Sequence, residues 1–293
     1  MIKRGVYAAG LSVLNEDCSL NISATIEHAE KLITQGCHGT AIFGSTGQAQ
    51  LISISEKIKL LNNLSASKYK DKHLIGTGLN SLTETINFMR VATSLSFKKF
   101  LIMPPAYYKY GDKEVIQFYS KIIEAVPACK IVLYNFEKLC GYKFSVECVE
   151  ELVEKFPDQI VGVKDSSYNL FESLKLENFL MFPGSEAKLL KGLKLGCSGC
   201  ISAVTNVTHS LARKVFDDFE KKETQSINDK LIAVRETFDQ YNLISALHSF
   251  LLTKDNKYKQ VLPPLILLSQ EKQKELINKL NNLKFIFDKN LAA

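Results

Sequence analysis

The sequence predicts an α/β protein, a (β/α)8 TIM barrel with additional C-terminal helices, and three observations carry that prediction. Eight short apolar or β-branched runs recur at intervals of roughly 20 to 35 residues. The segments between them carry helical periodicity. The chain has 293 residues, 46% hydrophobic and 23% charged, an ordinary globular composition with room for one barrel of about 250 residues and something more.

In order, the runs are GVYAAGLSV (5–13), GTAIF (39–43), HLIGTG (73–78), KKFLIMP (98–104), KIVLYN (130–135), IVGVK (160–164), FLMFPG (179–184) and GCISAV (199–204). ISATIEHAEKLITQG reads as a helix with apolar positions Ile22, Ile26, Ala29 and Ile33 and a stop at Gly36. In SISEKIKLLNNL, Ser53 and Glu56 have capping-box spacing. Strand alternating with helix eight times predicts a (β/α)8 barrel over residues 1–222. HSLARKVFDDFEKK reads as a helix, and no strand signal follows it. Residues 223–293 form a helical extension, broken by Pro263 and Pro264 and resumed at SQEKQKELINKLNNL.

Composition narrows the function classes. The net charge of +6 comes from lysines scattered over helical faces, without the compact basic block of a nucleic-acid binder. No charged-then-apolar leader opens the chain, and no apolar run approaches the roughly 18 residues of a membrane span, so a cytoplasmic protein is expected. Seven scattered cysteines fit reduced thiols better than a disulfide framework. Cys197 and Cys200 have CxxC spacing without a second pair, and the five histidines form no ligand motif, so no metal is expected. GTG at 76–78 lacks the further glycine of a dinucleotide fingerprint.

In a (β/α)8 barrel the loops after the strands build the active site. Here those positions hold GSTG (44–47), PPAYY (104–108), YN (134–135), Lys164 and GSE (184–186). A lysine with the reference pKa of about 10.4 is neutral in on the order of 1 in 2,000 molecules at pH 7, whereas attack on a carbonyl needs the neutral amine, which burial favours. Lys164 therefore admits two roles, ion-pair partner of Asp165 or another carboxylate, or Schiff-base nucleophile. Tyr134, ending the neighbouring run, is either a core residue or a phenol that moves protons. The glycines of GSTG allow a tight turn, with Ser45, Thr46 and the amide of Gly47 placed to hold a substrate carboxylate; a plain turn is the other reading.

Taken together, GSTG, YY, YN, VGVKD, PGS and ISAVTN, each on its expected strand, resemble the dihydrodipicolinate synthase and N-acetylneuraminate lyase family of class I aldolases. The resemblance runs from Gly5 to about Leu268, including LPPLILLS. It implies a barrel with C-terminal helices, a homotetramer built from tight dimers, and a 2-oxo acid held as an imine without metal or organic cofactor. By motif, Lys164 matches the imine-forming lysine, Tyr134 the proton-shuttling tyrosine, and Ser45 and Thr46 the hydroxyls at the pyruvyl carboxylate. Tyr108 matches the phenol lent across the dimer interface in the synthase branch, with Tyr107 as the neighbouring alternative. Gly184, Ser185, Glu186 and Ile201 are expected to line the substrate.

Departures from the pattern separate the branches. YNFEKLCG puts Leu139 where the synthase branch carries an arginine, and Glu137 where proline is usual, which weakens a role in lysine synthesis. Sialic acid lyases tend to carry acidic pairs after the seventh strand, against the single Glu186 here. Gln48 replaces the Glu of many members. Asn80 and Glu84 match part of the synthase branch's lysine feedback site, but the accompanying histidines are absent and feedback inhibition is not expected. The segments YNFEKLCGYKFS, GVKDSS, PGSEAKLL and SAVTNV look most like 2-keto-3-deoxy sugar acid aldolases. The expected activity is cleavage of such an acid to pyruvate and an aldehyde; the synthase and sialic acid lyase reactions, and a non-catalytic carboxylate-binding barrel, are the alternatives.

Overall fold

A computed structural model describes residues 2–287. Along the chain run β1 (Gly5–Ala9), α1 (Ile22–Thr34), β2 (Gly39–Ile42), α2 (Ile54–Leu64), β3 (His73–Gly76), α3 (Leu82–Ser94), β4 (Lys99–Ile102), α4 (Asp112–Ala125), β5 (Lys130–Asn135), α5 (Glu137–Cys140), α6 (Val146–Lys155), β6 (Ile160–Asp165), β7 (Leu180–Pro183), α7 (Leu189–Lys194), β8 (Gly199–Ser202) and α8 (Thr205–Glu220). Beyond them lie α9 (Asn228–Asp239), α10 (Leu243–Leu252) and α11 (Gln270–Asn282). The expected TIM barrel with C-terminal helices is what the chain forms.

All eight strands are parallel, in the order β7-β6-β5-β4-β3-β2-β1-β8. The two ends of that order meet without a hydrogen-bonded ladder; among the described residues, Ser198 N donates across the seam to Met181 O at 2.7 Å. Strand residues alternate between two cores because side chains in a strand point to opposite faces. Tyr7, Ala41, Leu74, Leu101, Val132, Tyr134, Phe182 and Ile201 fill the barrel's interior. Val6 and Ala8 face outward into a core shared with α8 and with Leu231, Val234, Phe238, Leu247, Phe250 and Leu276 of the C-terminal helices. Apolar packing thus runs continuously across residue 222.

Local signals explain the helix starts. Asn21, Ser81 and Ser145 each accept a hydrogen bond from an amide in the first turn of α1, α3 and α6, and Ser53 with Glu56 forms the expected capping box of α2. The sixth connection breaks the expected alternation, since residues 166–179 form turns and no helix. The Asp165 carboxylate supplies the reason: it accepts from Tyr168 N (2.8 Å), Leu170 N (2.8 Å) and Phe171 N (3.0 Å), winding the chain around itself instead of into a helix. No helix among the described residues is long and apolar enough to cross a membrane.

Candidate active site

Lys164 and Tyr134 are direct partners in the β5–β6 ladder, beside Phe182 of β7. Tyr134 belongs to the interior core, and the same parity turns Lys164 inward while Asn135 and Asp165 face outward. The Lys164 amine lies 4.1 Å from the centroid of the Tyr134 ring, and the residue is 3% exposed. Among the described residues no carboxylate stands within ion-pair distance of it. Asp165, the adjacent carboxylate named for the ion-pair role, is buried and committed elsewhere: besides the three amides it accepts from Asn135 Nδ2 at 2.9 Å. Asn135 Oδ1 in turn accepts from Phe144 N at 3.2 Å. The two residues that follow the inward pair are therefore anchors, fixing the strand ends from which Tyr134 and Lys164 project.

The GSTG turn meets this pair from across the barrel. Gly47 N donates to Gly44 O (3.1 Å) and Gln48 N to Ser45 O (3.0 Å), and Ser45 Oγ stands 2.9 Å from the Tyr134 hydroxyl. Thr46 is buried in the same turn. Gly47 is required by packing, because a Cβ there would come within 2.8 Å of Gly10 O. Phe43 (φ +59°) and Gln48 (φ +55°) bracket the turn in the left-handed region, which is uncommon for residues other than glycine and concentrates where backbone is held for a ligand. Gln48 is buried, and its Oε1 accepts from Leu262 N at 2.6 Å, tying the turn to the C-terminal extension.

The β7–β8 rim is arranged differently from expectation. Ile201 is buried in the interior column with Tyr134. Gly184 packs against Ser166, where a Cβ would come within 2.0 Å of Ser166 Oγ, and Ser185 Oγ is taken up by Ala187 N at 3.3 Å. Glu186 is not available to a substrate. It is 0% exposed and its carboxylate accepts from Arg235 Nη1 at 3.1 Å, from Thr208 Oγ1 at 2.8 Å and from Ser202 Oγ. Adjacent in sequence to a predicted binding loop, it turns outward because a buried carboxylate needs a cation, and α9 supplies one. Burial opposes the Arg235 cation, but Glu186 and Asp239 outweigh burial and hold its pKa above the ordinary value. Arg235 was not among the expected residues, although an arginine on the same helix as buried Leu231, Val234 and Phe238 signals a buried partner.

Tyr107 and Tyr108 are 88% and 75% exposed and pack edge-on against each other at 5.2 Å, with neither hydroxyl bonded within the chain among the described residues. Their loop is braced by Asn80, whose Oδ1 accepts from Ala106 N at 2.9 Å, and by Tyr110, which donates to Pro105 O. A second buried lysine, Lys57 on α2, donates to Thr77 O at 2.8 Å, and burial lowers its pKa to about 8. Among the described residues no group of three or more His, Cys, Asp or Glu side chains could hold a metal.

Comparison with known proteins identifies the family. An uncharacterised DapA-like lyase of Chloroflexus aurantiacus is 28% identical over 277 residues, 92% of this chain and 93% of that protein. An N-acetylneuraminate lyase of Clostridium perfringens is 27% identical over 231 residues, 76% of this chain and 78% of that one. The crystal structure of dihydrodipicolinate synthase from Agrobacterium tumefaciens superposes with a TM-score of 0.87 at 23% identity, covering 96% of this chain and 99% of that one, which establishes the shared fold. The profile of the dihydrodipicolinate synthetase family matches residues 3–283, and this chain, an enzyme, belongs to that family.

Proposed function

We propose that the protein cleaves a 2-keto-3-deoxy sugar acid to pyruvate and an aldehyde through an imine on Lys164. The observation that carries this reading is a buried amine with no carboxylate partner among the described residues, seated over the ring of a tyrosine that also reaches the GSTG turn. An enclosed amine seated beside a phenol is placed to attack a carbonyl with a proton carrier at hand.

In the proposed sequence the substrate carboxylate binds at Ser45, Thr46 and the Gly47 amide. Lys164 Nζ attacks the C2 carbonyl, water leaves, and the iminium accepts the electron pair of the breaking C3–C4 bond while the C4 hydroxyl loses its proton. Tyr134 handles that proton, relayed by Ser45 or by the substrate carboxylate. The aldehyde departs, the enamine takes a proton at C3, and water hydrolyses the imine to release pyruvate. The imine is itself the electron sink, so the sequence calls on no cofactor. The exposed Tyr107–Tyr108 pair supports a dimeric unit in which Tyr108 serves the partner's site, within the tetramer implied by the resemblance. Seven unpaired cysteines support a cytoplasmic location. Engagement of Glu186 by Arg235 removes the one carboxylate expected to grip a long polyol, which favours a keto-deoxy acid over a nine-carbon sialic acid.

Incubation with pyruvate and borohydride, followed by digestion, tests the chemistry: a reduced pyruvyl adduct on the Lys164 peptide is expected, and its absence ends the Schiff-base reading. Rates with a panel of keto-deoxy acids, N-acetylneuraminate, and pyruvate plus aspartate semialdehyde then rank the substrates.

A further inference from the structure

Every neighbouring strand pair in the barrel shares a ladder except β7 and β8. Near the strand starts, Ser198 N to Met181 O bridges the gap at 2.7 Å. At the catalytic end the bridge is made by side chains. Glu186, three residues past the end of β7, accepts from Ser202 Oγ at the end of β8 and from Thr208 Oγ1 on α8 at 2.8 Å. Arg235 Nη1 donates to both sides of the gap, to Glu186 Oε2 at 3.1 Å and to Ser202 Oγ at 2.9 Å. Its Nε is held by both oxygens of Asp239 at 2.9 Å, so the guanidinium is fixed from within α9.

We infer that Arg235 is a positioning residue, and that the C-terminal extension uses it to close the barrel's seam at the mouth. The inference rests on the reading of Lys164 as the reacting amine. Phe182 on β7 is the register partner of Lys164, and Ile201 on β8 shares the interior column with Phe182 and Tyr134. A seam held shut therefore keeps the wall behind the amine in place, whereas an open one lets β7 and β8 separate where only side chains join them. A buried ion pair is a weak source of net stability but fixes geometry well when all its hydrogen bonds are made. Arg235 touches no reacting atom in this scheme and acts through β7 and β8.

The test uses the full chain with Arg235→Met, Arg235→Lys and the double variant Glu186→Gln/Arg235→Met, the last removing both charges so that no buried carboxylate is stranded. Amide hydrogen exchange is measured without substrate, and borohydride trapping is titrated with pyruvate. The expected result is faster exchange in residues 180–204 than in 130–135 for Arg235→Met and the double variant. It is accompanied by a roughly ten- to hundredfold rise in the pyruvate concentration for half-maximal trapping, the scale of a misplaced binding wall, and Arg235→Lys recovers part of both. Uniformly faster exchange, or lower stability with an unchanged trapping midpoint in the folded double variant, would overturn the inference. Failure of the wild-type chain to trap pyruvate at all would strike the Schiff-base reading instead, and the exchange comparison would still judge the seam.

Discussion

Two polar clusters lie at the same end of this barrel, both buried, and they are built on opposite rules. On the β2, β5 and β6 side, Lys164 lies over the ring face of Tyr134, whose hydroxyl stands 2.9 Å from Ser45 Oγ. On the β7 and β8 side, Glu186 is met by a guanidinium and two hydroxyls. A buried carboxylate met by a cation and two hydroxyls is held in one geometry as scaffolding. The two clusters thus differ in the polar partners each buried group has, not in depth.

The most severe way to break the contrast is Lys164→Ala, which is expected to lower turnover by on the order of a thousandfold or more and to abolish borohydride trapping, measured by steady-state kinetics and mass spectrometry. Tyr134→Phe keeps the ring beneath the amine and removes the hydroxyl, so kcat should fall by about 10²- to 10⁴-fold, the range of one acid–base group. On the compensated side, Glu186→Ala leaves Arg235 to Asp239 alone and takes the acceptor from the Ser202 and Thr208 hydroxyls, and should destabilise the fold by about 1–3 kcal/mol in urea unfolding. Ser45→Ala sharpens the picture more gently, weakening pyruvate trapping by about 1 kcal/mol, or roughly fivefold. A separate contrast, in pH rather than in turnover, concerns Lys57. Its folded pKa of about 8 lies below the unfolded value near 10.5, so the unfolded chain holds more protons between those values and the lysine's burial penalty is relieved as pH rises through that window. Wild-type stability should therefore gain on that of Lys57→Met from pH 8 to 10.5, read as the difference between the two melting profiles.

Much of this was legible in the sequence because parity along a strand is a local property. Runs such as IVGVK and KIVLYN announce buried strands, and counting to their ends delivers Lys164 and Tyr134 to the mouth without knowledge of any contact. What stayed hidden depends on partners distant in sequence. Glu186 and Arg235 are 49 residues apart and sit in different layers, so an acid beside a binding loop reads as a substrate ligand until the cation that claims it is seen. The missing sixth helix is similar in kind: the residues after Asp165 carry enough apolar character to suggest one, but a single carboxylate gathering three amides wins locally. Asn135 and Asp165 were quoted within their motifs, yet nothing in one sequence marks them as anchors.

The bond from Leu262 to Gln48 has a consequence for synthesis on the ribosome. The turn at 44–47 emerges early, and the amide that steadies it is made more than two hundred residues later. A nascent barrel already carrying Lys164 and Tyr134 would still lack that tie, so the turn is finished only when the C-terminal extension has emerged and docked.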